Sequence, residues 1–311
     1  MAPHARDSTV ASTFSIVAAD PATAEVGVAV QSKYLAVGAV VPWARAGIGA
    51  VATQAMGFAG FGPQILEALA RGEAPAHALA AALRDDPLPE RRQVGVVSAA
   101  GEAANHTGTE CSAWAGGRLG ACFAVQGNLL AGEAVVQEMA RAFEAGAGAL
   151  CQRLLAALEA GQAAGGDKRG EQSAALIVER SGYAQETRLG IDRVIDLRVD
   201  DHPHPIAELR RLLDLRLRQE VAFRAMRFYL DRDFPRAVAI MADGLRQFPD
   251  SPEILYDLAC FESLAGQPEA CLVHLGRALD LAPGMRPMAA ADADFDAVRS
   301  HAQFLALVAD V

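Results

Sequence analysis

The sequence predicts an α+β fold, in which a four-layer α-β-β-α sandwich is followed by a small all-α domain. Three observations support this. Predicted strands come in pairs joined by short turns, which is typical of antiparallel sheets. Pairs of predicted helices separate these groups of strands, so that each sheet can bury one face beneath helices. After residue 205 the apolar pattern becomes wholly helical.

The first two strands are predicted from their apolar residues and from the turn between them. Residues 13–19 and 25–31 flank Asp20-Pro21-Ala22-Thr23, a favourable β-turn sequence. A polar loop is predicted at 107–117. The remaining strands of the first domain are predicted at 47–54, 93–98, 119–126, 173–179 and 190–199.

Two helix pairs are predicted between these strands. Pro63 suits the first turn of a helix over about 63–71, and Pro75 begins the second helix of that pair. The other pair covers about 132–144 and 148–161, and the latter segment has leucines at helical spacing. The glycine-rich segment GQAAGGDKRGEQ that follows is predicted to be a loop.

The helical C-terminal part contains an internal repeat. An offset of 34 residues pairs Val221 with Leu255 and Pro249 with Pro283, among other matches. This period, with small residues at fixed places and a closing proline, is typical of tetratricopeptide repeats. The predicted domains are therefore a disordered N-terminal extension at 1–12, a sandwich domain at 13–205, and tetratricopeptide-like repeats with a capping helix near 294–308 at 206–311.

Composition excludes several classes of partner. The net charge is −10, so the chain lacks the basic surface that nucleic acids or anionic membranes require. No apolar run is long enough to span a membrane, and residues 1–12 do not resemble a signal peptide. The five cysteines lack metal-type spacing. We expect a cytoplasmic homo-oligomer that binds neither nucleic acid nor membrane and uses no metal or cofactor.

Six sequence blocks resemble a known bacterial family, the domain of unknown function 1028 family, which is similar to Ntn hydrolases. They are TFSIVAADP, GVAVQSKYLAVGAVVPWARAGIGAVATQA, RRQVGVV, FAVQGNLLAG, AAGGDKRGEQSAAL and DLRVDDHPHPIAEL. They follow in this order from residue 13 to about 209. The resemblance implies an Ntn-type sandwich for the first domain, but it implies no particular activity.

The resemblance also implies a candidate nucleophile. In Ntn hydrolases the mature chain begins with Thr, Ser or Cys on the first strand, and the α-amine of that residue is the base. Thr13 matches this pattern, provided that the Ser12–Thr13 bond is cleaved and residues 1–12 are lost. The alternative is that Thr13 and Ser15 are ordinary strand residues, since threonine favours strands.

Lys33 and several strand-end amides are further candidates. Lys33 is one of only two lysines, and its charge beside the nucleophile would lower the pKa of the α-amine. The alternatives are that Ser32 and Lys33 form a Ser-Lys pair, or that Lys33 is a solvated residue at a strand end. Asn128, Gln126 and Gln54 could contact an oxyanion or a substrate carbonyl, or satisfy turn backbone instead.

The glycine-rich loop supplies the last candidates. Asp167 and Arg169 could form an ion pair at the rim of the site, or Arg169 could bind a substrate carboxylate. A loop without a functional role is the alternative. The predicted catalytic residues are thus Thr13, Lys33 and Asn128, and the predicted substrate-binding residues are Ser32, Gln54, Gln126, Asp167 and Arg169.

Three functions remain open from the sequence. The first is an Ntn-type hydrolase that acts on an amide bond of a small molecule or peptide, with residues 206–311 as an interaction module. The second is a catalytically silent Ntn-like protein that binds a small molecule or peptide and whose helical tail mediates protein interaction or oligomerisation. The third is a scaffold without a pocket near Thr13, Lys33 and Gln126.

Overall fold

The computed structural model describes residues 13–187 and 190–309. The chain divides into two compact units, of which the first ends at Leu213 and the second begins at Asp214. The first unit is a mixed α+β structure with two antiparallel sheets, and the second unit is helical. The predicted N-terminal extension at 1–12 lies outside the described residues. The predicted domain boundary after residue 205 coincides with the beginning of a long helix that continues into the second unit.

The larger sheet has six strands. It is antiparallel throughout, and its strand order is β10-β9-β2-β1-β8-β7. The strands are β1 (Thr13–Asp20), β2 (Glu25–Ser32), β7 (Gly116–Gly120), β8 (Phe123–Asn128), β9 (Ser173–Arg180) and β10 (Arg193–Val199).

The smaller sheet has four antiparallel strands in the order β3-β4-β5-β6. These strands are β3 (Pro42–Arg45), β4 (Gly49–Ala55), β5 (Arg92–Ser98) and β6 (Ala103–Thr107). The helices of the first unit are α1 (Phe61–Ala70), α2 (Pro75–Arg84), α3 (Ala134–Ala145), α4 (Leu150–Ala163) and α5 (Tyr183–Thr187), and α6 (Pro205–Leu230) begins in this unit.

The period-2 alternation of each strand determines which residues face the other sheet. A core between the sheets joins valines of β1 and β2 to small apolar residues of β4 and β5. The outer face of the smaller sheet, with Val51, Val94 and Val96, packs against α1 and α2. The outer face of the larger sheet packs against α3 and α4, where the rings of Phe123 and Phe143 lie 5.0 Å apart.

The structure of the first unit differs from the predictions in three respects. The strand predicted at 119–126 is wrong in extent, because a turn in which Cys122 has a positive φ of 65° separates β7 from β8. The predicted polar loop at 107–117 overlaps the last residue of β6 and the first residues of β7. Strands β3 and β6 were not predicted, since β3 is very short and threonine is the single strand-favouring residue in the sequence of β6, AANHT.

The second unit has one apolar core formed by successive helices. Gly244 allows a close approach, because a Cβ at this position would lie 2.2 Å from Cγ1 of Val221. The predicted capping helix at 294–308 is shorter in the structure and begins at Ala302. After α6 the helices are α7 (Phe234–Gln247), α8 (Pro252–Leu264), α9 (Pro268–Leu281), α10 (Arg286–Ala291) and α11 (Ala302–Val308).

Among the described residues, no helix combines the length and the apolar character that are needed to cross a membrane.

Asp257 in α8 is expected to destabilise the second unit at neutral pH. Burial, followed by repulsion from Glu253, Asp292 and Asp294, raises the pKa of Asp257 from 3.8 to about 6. A raised folded-state pKa favours folding at pH values below the unfolded pKa, and this contribution is lost as the pH rises through 6. The variant Asp257→Asn should therefore be about 2–3 kcal/mol more stable than the wild type at pH 7.5.

Urea denaturation at pH 7.5 and pH 4 tests this expectation. The gain from Asp257→Asn should shrink at pH 4, where most of the wild-type carboxyl is already protonated in the folded state. Asp250→Asn, which neutralises an exposed aspartate in the same unit, should change stability by less than about 0.5 kcal/mol. Equal stability of the wild type and Asp257→Asn at pH 7.5 would contradict the expectation that the ionised Asp257 carboxylate destabilises the second unit.

Candidate functional site

One end of the space between the sheets is polar. Thr13 of β1 lies opposite Ser32 of β2 and Asn128 of β8, and Ser32 lies opposite Ser173 of β9. Directly paired residues point to the same face of a sheet. These strands therefore place a row of three hydroxyls and one amide at the same end of the larger sheet.

The next row and the facing sheet extend this polar surface. Ser15 lies opposite Gln126 in the larger sheet, and Gln54 lies opposite Gln93 in the smaller sheet. All of these side chains are buried, with at most 1% of their surface exposed. Burying so many polar groups is unfavourable unless they bond to one another. We call this set the amide cluster: Thr13, Ser15, Ser32, Gln54, Gln93, Gln126 and Asn128.

Gln54 connects the two sheets. Its Nε2 donates to the carbonyl oxygen of Thr13 at 3.2 Å and to Oε1 of Gln93 at 2.9 Å. Its Oε1 accepts a hydrogen bond from the Ser15 hydroxyl at 2.7 Å. The same Ser15 oxygen accepts from Nε2 of Gln126 at 2.7 Å. The position of the backbone at Thr13 is therefore coupled to the smaller sheet through one glutamine.

Gln93 lies at the centre of the cluster and was not predicted. Its Oε1 accepts from Gln54 and from Nδ2 of Asn128, each at 2.9 Å. Its Nε2 donates to the Gly127 carbonyl at 2.8 Å and to the Thr107 hydroxyl at 3.0 Å. The available signal was a glutamine within RRQVGVV, at an inward position of a predicted strand where an apolar residue is the norm.

Gly95 provides the space for Gln126. A Cβ at Gly95 would lie 2.1 Å from Oε1 of Gln126, well inside van der Waals contact. Gly95 pairs with Ala52, a small residue on the same inward face of the smaller sheet. The small residues of the smaller sheet thus leave space opposite Gln126, and this space allows the Gln126 side chain to lie between the sheets.

Thr13 itself is held at both its backbone and its side chain. Its Oγ1 donates to the Ser32 hydroxyl oxygen at 3.1 Å, and its carbonyl accepts from Gln54. It has no exposed surface in the intact chain. The amide cluster consists of hydroxyl and amide side chains, none of which is a base at neutral pH. Chemistry at Thr13 would need a base from elsewhere, and the α-amine of a processed Thr13 is such a group.

Lys33 lies at the surface, apart from the amide cluster. It follows the last residue of β2 and is exposed. Its Nζ donates to the carbonyl of Glu171 at 2.9 Å. Its backbone N–H donates to Oδ2 of Asp167 at 3.0 Å. The contacts of Lys33 therefore tie the end of β2 to the glycine-rich loop that precedes β9.

Asp167 and Arg169 form the ion pair considered for the rim. Nη2 of Arg169 lies 3.2 Å from Oδ2 of Asp167, whose side chain is fully buried. The backbone N–H of Arg169 also donates to Oδ1 of Asp167 at 2.8 Å. Because the carboxylate of Asp167 accepts from Lys33 as well, it anchors the loop beside the end of β2.

A pocket lies beside the amide cluster, which we call the β4 pocket. Its volume is about 150 Å³, and Gln54 forms part of both its wall and the cluster. The connection after β2, the end of β4 and the segment after β4 provide the remaining wall. The lining residues are Tyr34, Val40, Val41, Thr53, Gln54, Ala55, Gly57 and Ala59.

One group of possible metal ligands occurs among the described residues, in the second unit. Atoms of Cys260, Asp292 and Asp294 lie within 4.8 Å of one another. The two carboxylates already accept hydrogen bonds from tyrosines, Tyr256 to Asp292 at 2.9 Å and Tyr229 to Asp294 at 3.1 Å. Burial raises the pKa of the Cys260 thiol, which disfavours the thiolate that binds metals. We interpret the group as a hydrogen-bonded part of the helical core.

Comparisons with known proteins match the first unit. The model of a family of unknown function, DUF1028, matches residues 13–209. The crystal structure of protein SPO2555 from Silicibacter pomeroyi, described by the same family model, is similar with a TM-score of 0.60 and 32% identity. The similarity covers 65% of this chain and 85% of that one. No curated protein matches the sequence.

Proposed function

This chain belongs to the DUF1028 family, a family of unknown function, and from that premise we propose that it is an N-terminal nucleophile hydrolase of amide bonds. One observation carries the proposal. Thr13 lies on the central strand β1, its hydroxyl contacts Ser32, and its backbone is bound by Gln54. Cleavage of the Ser12–Thr13 bond would turn the nitrogen of Thr13 into an α-amine beside its own hydroxyl.

The layering of the first unit supports this proposal. Helices cover the outer faces of two sheets that meet through their inner faces. This is the four-layer arrangement that we assign to an Ntn-type sandwich. For the second unit we propose tetratricopeptide-like repeats, supported by the 34-residue offset and by the close approach at Gly244. Its proposed role is contact with a protein partner or with a second copy of the chain.

The proposed reaction has two steps. The α-amine of processed Thr13 accepts the hydroxyl proton while Oγ1 attacks the substrate carbonyl, and the resulting ammonium protonates the leaving amine. This gives an ester between Thr13 and the acyl group. Water, deprotonated by the same amine, then attacks the ester, releases the acid and restores the hydroxyl. Asn128 is the proposed donor to the oxyanion, Gln54 holds the backbone of Thr13 in place, and Lys33 and Arg169 add positive charge at the rim.

The proposal predicts processing and a requirement for Thr13. Mass spectrometry of the purified protein should show loss of residues 1–12, with Thr13 as the new first residue. Turnover of N-acyl amides should fall by at least about 10³-fold in Thr13→Ala, because both the ester and its activation are lost. Thr13→Ser should retain part of the activity. Thr23→Ala, in the exposed turn after β1, should leave turnover unchanged.

Either of two results would refute this function. One is turnover by a chain that keeps its full N-terminus, since the proposed base would then be a peptide nitrogen. The other is Thr13→Ala with wild-type turnover.

A catalytically silent binding protein is the second candidate. The observation that favours it is the burial of Thr13 together with the hydrogen bonds that the amides make to one another. Such a cluster can act as a polar core that fixes the spacing of the two sheets. This candidate predicts a small molecule or peptide bound in the β4 pocket, an intact N-terminus and no turnover. The helical unit would then mediate protein interaction or self-association.

A further inference from the structure

The β4 pocket adjoins the proposed nucleophile through a single side chain. Gln54 lines the pocket, and its Nε2 donates to the carbonyl of Thr13 at 3.2 Å. Gln54 is almost completely buried, so its amide is held in place by the cluster. The pocket and the proposed nucleophile therefore have Gln54 as a common neighbour.

Among the residues that the structure describes, those lining the pocket include no charged side chain. Its polar side chains are Tyr34, Thr53 and Gln54, and the other lining residues are apolar. The Thr53 hydroxyl donates to the Phe58 carbonyl at 3.3 Å, and the Thr53 N–H donates to the Val41 carbonyl at 3.1 Å. A charged group in this space would lose hydration without gaining an ionic partner, which is strongly unfavourable. The chemistry of the wall therefore selects neutral groups.

The size of the pocket limits what fits. A volume of about 150 Å³ corresponds to a cavity that holds one benzene ring. Gly57 packs closely against the backbone of β4, since a Cβ there would lie 3.3 Å from the Thr53 carbonyl oxygen. Tyr34 is 41% exposed, so it contributes to the more open side of the pocket. A leucine or phenylalanine side chain fits these dimensions, whereas an indole exceeds them.

The backbone next to Gln54 adopts an unusual conformation. Ala55 has a φ of 65°, in the left-handed region that non-glycine residues seldom adopt. Such strained residues cluster at ligand sites. Here the turn at Ala55 ends β4 and returns the chain so that Gly57 and Ala59 line the same pocket as Gln54. The strained residue thus builds the pocket wall.

We infer that the β4 pocket binds the side chain of the substrate's acyl group, and that this side chain is uncharged and no larger than one six-membered ring. The inference rests on the proposed hydrolase function. It defines the substrate class as N-acyl amides or peptides with a small neutral residue on the acyl side of the cleaved bond.

Binding to the full-length Thr13→Ala chain tests the inference without turnover. Isothermal titration would use the N-acetyl amides of leucine, phenylalanine, tryptophan, aspartate and lysine as probes. The first two should bind at least tenfold more tightly than the other three. Ala59→Leu should weaken binding of the leucine and phenylalanine probes at least tenfold by filling the pocket. Ala81→Leu makes the same change at a similarly half-buried site on α2 and should leave binding unchanged.

Equal affinity for all five probes, binding of none, or full binding by a folded Ala59→Leu chain would overturn the inference. Far-ultraviolet circular dichroism of Ala59→Leu tests whether its fold is intact. Val41→Phe provides a second variant that fills the pocket. The two proposals fail in different ways. Selective binding without any turnover by the processed wild type refutes the hydrolase alone. If the turnover rate does not depend on the acyl side chain and is unchanged in Ala59→Leu, the pocket assignment alone is refuted.

Discussion

Replacing Gln93 with methionine is expected to lower the free energy of unfolding of the first unit by about 3–5 kcal/mol. Methionine preserves the length of the side chain but removes its hydrogen bonds. Oε1 of Gln93 accepts from two buried amides, those of Gln54 and Asn128, and its Nε2 donates to the carbonyl of Gly127. Each buried polar group that loses its partner costs about 1–3 kcal/mol.

Guanidinium denaturation, monitored by circular dichroism, measures this loss of stability. Gln64→Met is the matched control, because Gln64 is an exposed residue of α1 and its replacement should change stability by less than about 0.5 kcal/mol. If Gln93→Met unfolds at the wild-type midpoint, the amide cluster does not stabilise the contact between the sheets. On the proposed function, Gln93→Met also weakens turnover, since Gln93 positions Gln54 against Thr13.

The β1–β2 hairpin was the part of the fold that the sequence specified best. Both strands alternate between inward and outward residues, and the Asp20 to Thr23 turn joins them without a break. Their predicted bounds differ from the structure by one residue at the C-terminal end of each strand. The β7–β8 hairpin was harder to predict. Its turn depends on a left-handed Cys122, a residue type that carries no turn signal.

The individual residues of the candidate site could be predicted from the sequence, but their proximity in space could not. The family resemblance predicts Thr13, and positions at strand ends predict Ser32, Gln54, Gln126 and Asn128. The structure brings all five together. Their proximity depends on the strand order and register of two sheets. Those are long-range pairings, which local periodicity does not encode.

Gln93 and Lys33 illustrate two limits of local sequence patterns. Gln93 was overlooked because a single polar residue within a strand is ordinary unless its inward direction is known. Lys33 was selected because lysine is rare in the chain, yet rarity says nothing about direction. The strand ends at Ser32, and the next side chain turns to the surface, where it bonds to Glu171.

Replacing Arg92 with methionine is the other change from which we expect a large effect, a loss of about 3–5 kcal/mol in the free energy of unfolding at pH 7. Arg92 and Asp86 form an ion pair whose side chains are only 9% and 5% exposed. Two guanidinium nitrogens bind the two carboxylate oxygens at 2.6 and 2.9 Å, and a third donates to the Met56 carbonyl. Removing the arginine leaves a buried carboxylate without its cation.

The pH dependence distinguishes this mechanism from a simple loss of packing. Hydrogen bonds from Arg92 hold the pKa of Asp86 below its usual 3.8, so the pair stabilises the wild type above that pH and ceases to do so as the pH falls through the lowered pKa. In Arg92→Met the carboxyl is instead expected to protonate readily. The difference in stability between the two proteins should therefore be largest near pH 7 and smaller near pH 3.

A double variant and a surface control complete the experiment. Arg92→Met combined with Asp86→Leu should be more stable than Arg92→Met alone, because no uncompensated charge remains. Arg141→Met removes an exposed ion pair with Glu138, in which the arginine side chain is 69% exposed, and should cost at most about 1 kcal/mol. Because Arg92 also binds the Met56 carbonyl, just before Gly57, loosening this pair should weaken probe binding in the β4 pocket as well. A deficit of Arg92→Met that is independent of pH and is not reduced in the double variant would mean that packing, and not charge pairing, holds Arg92 in place.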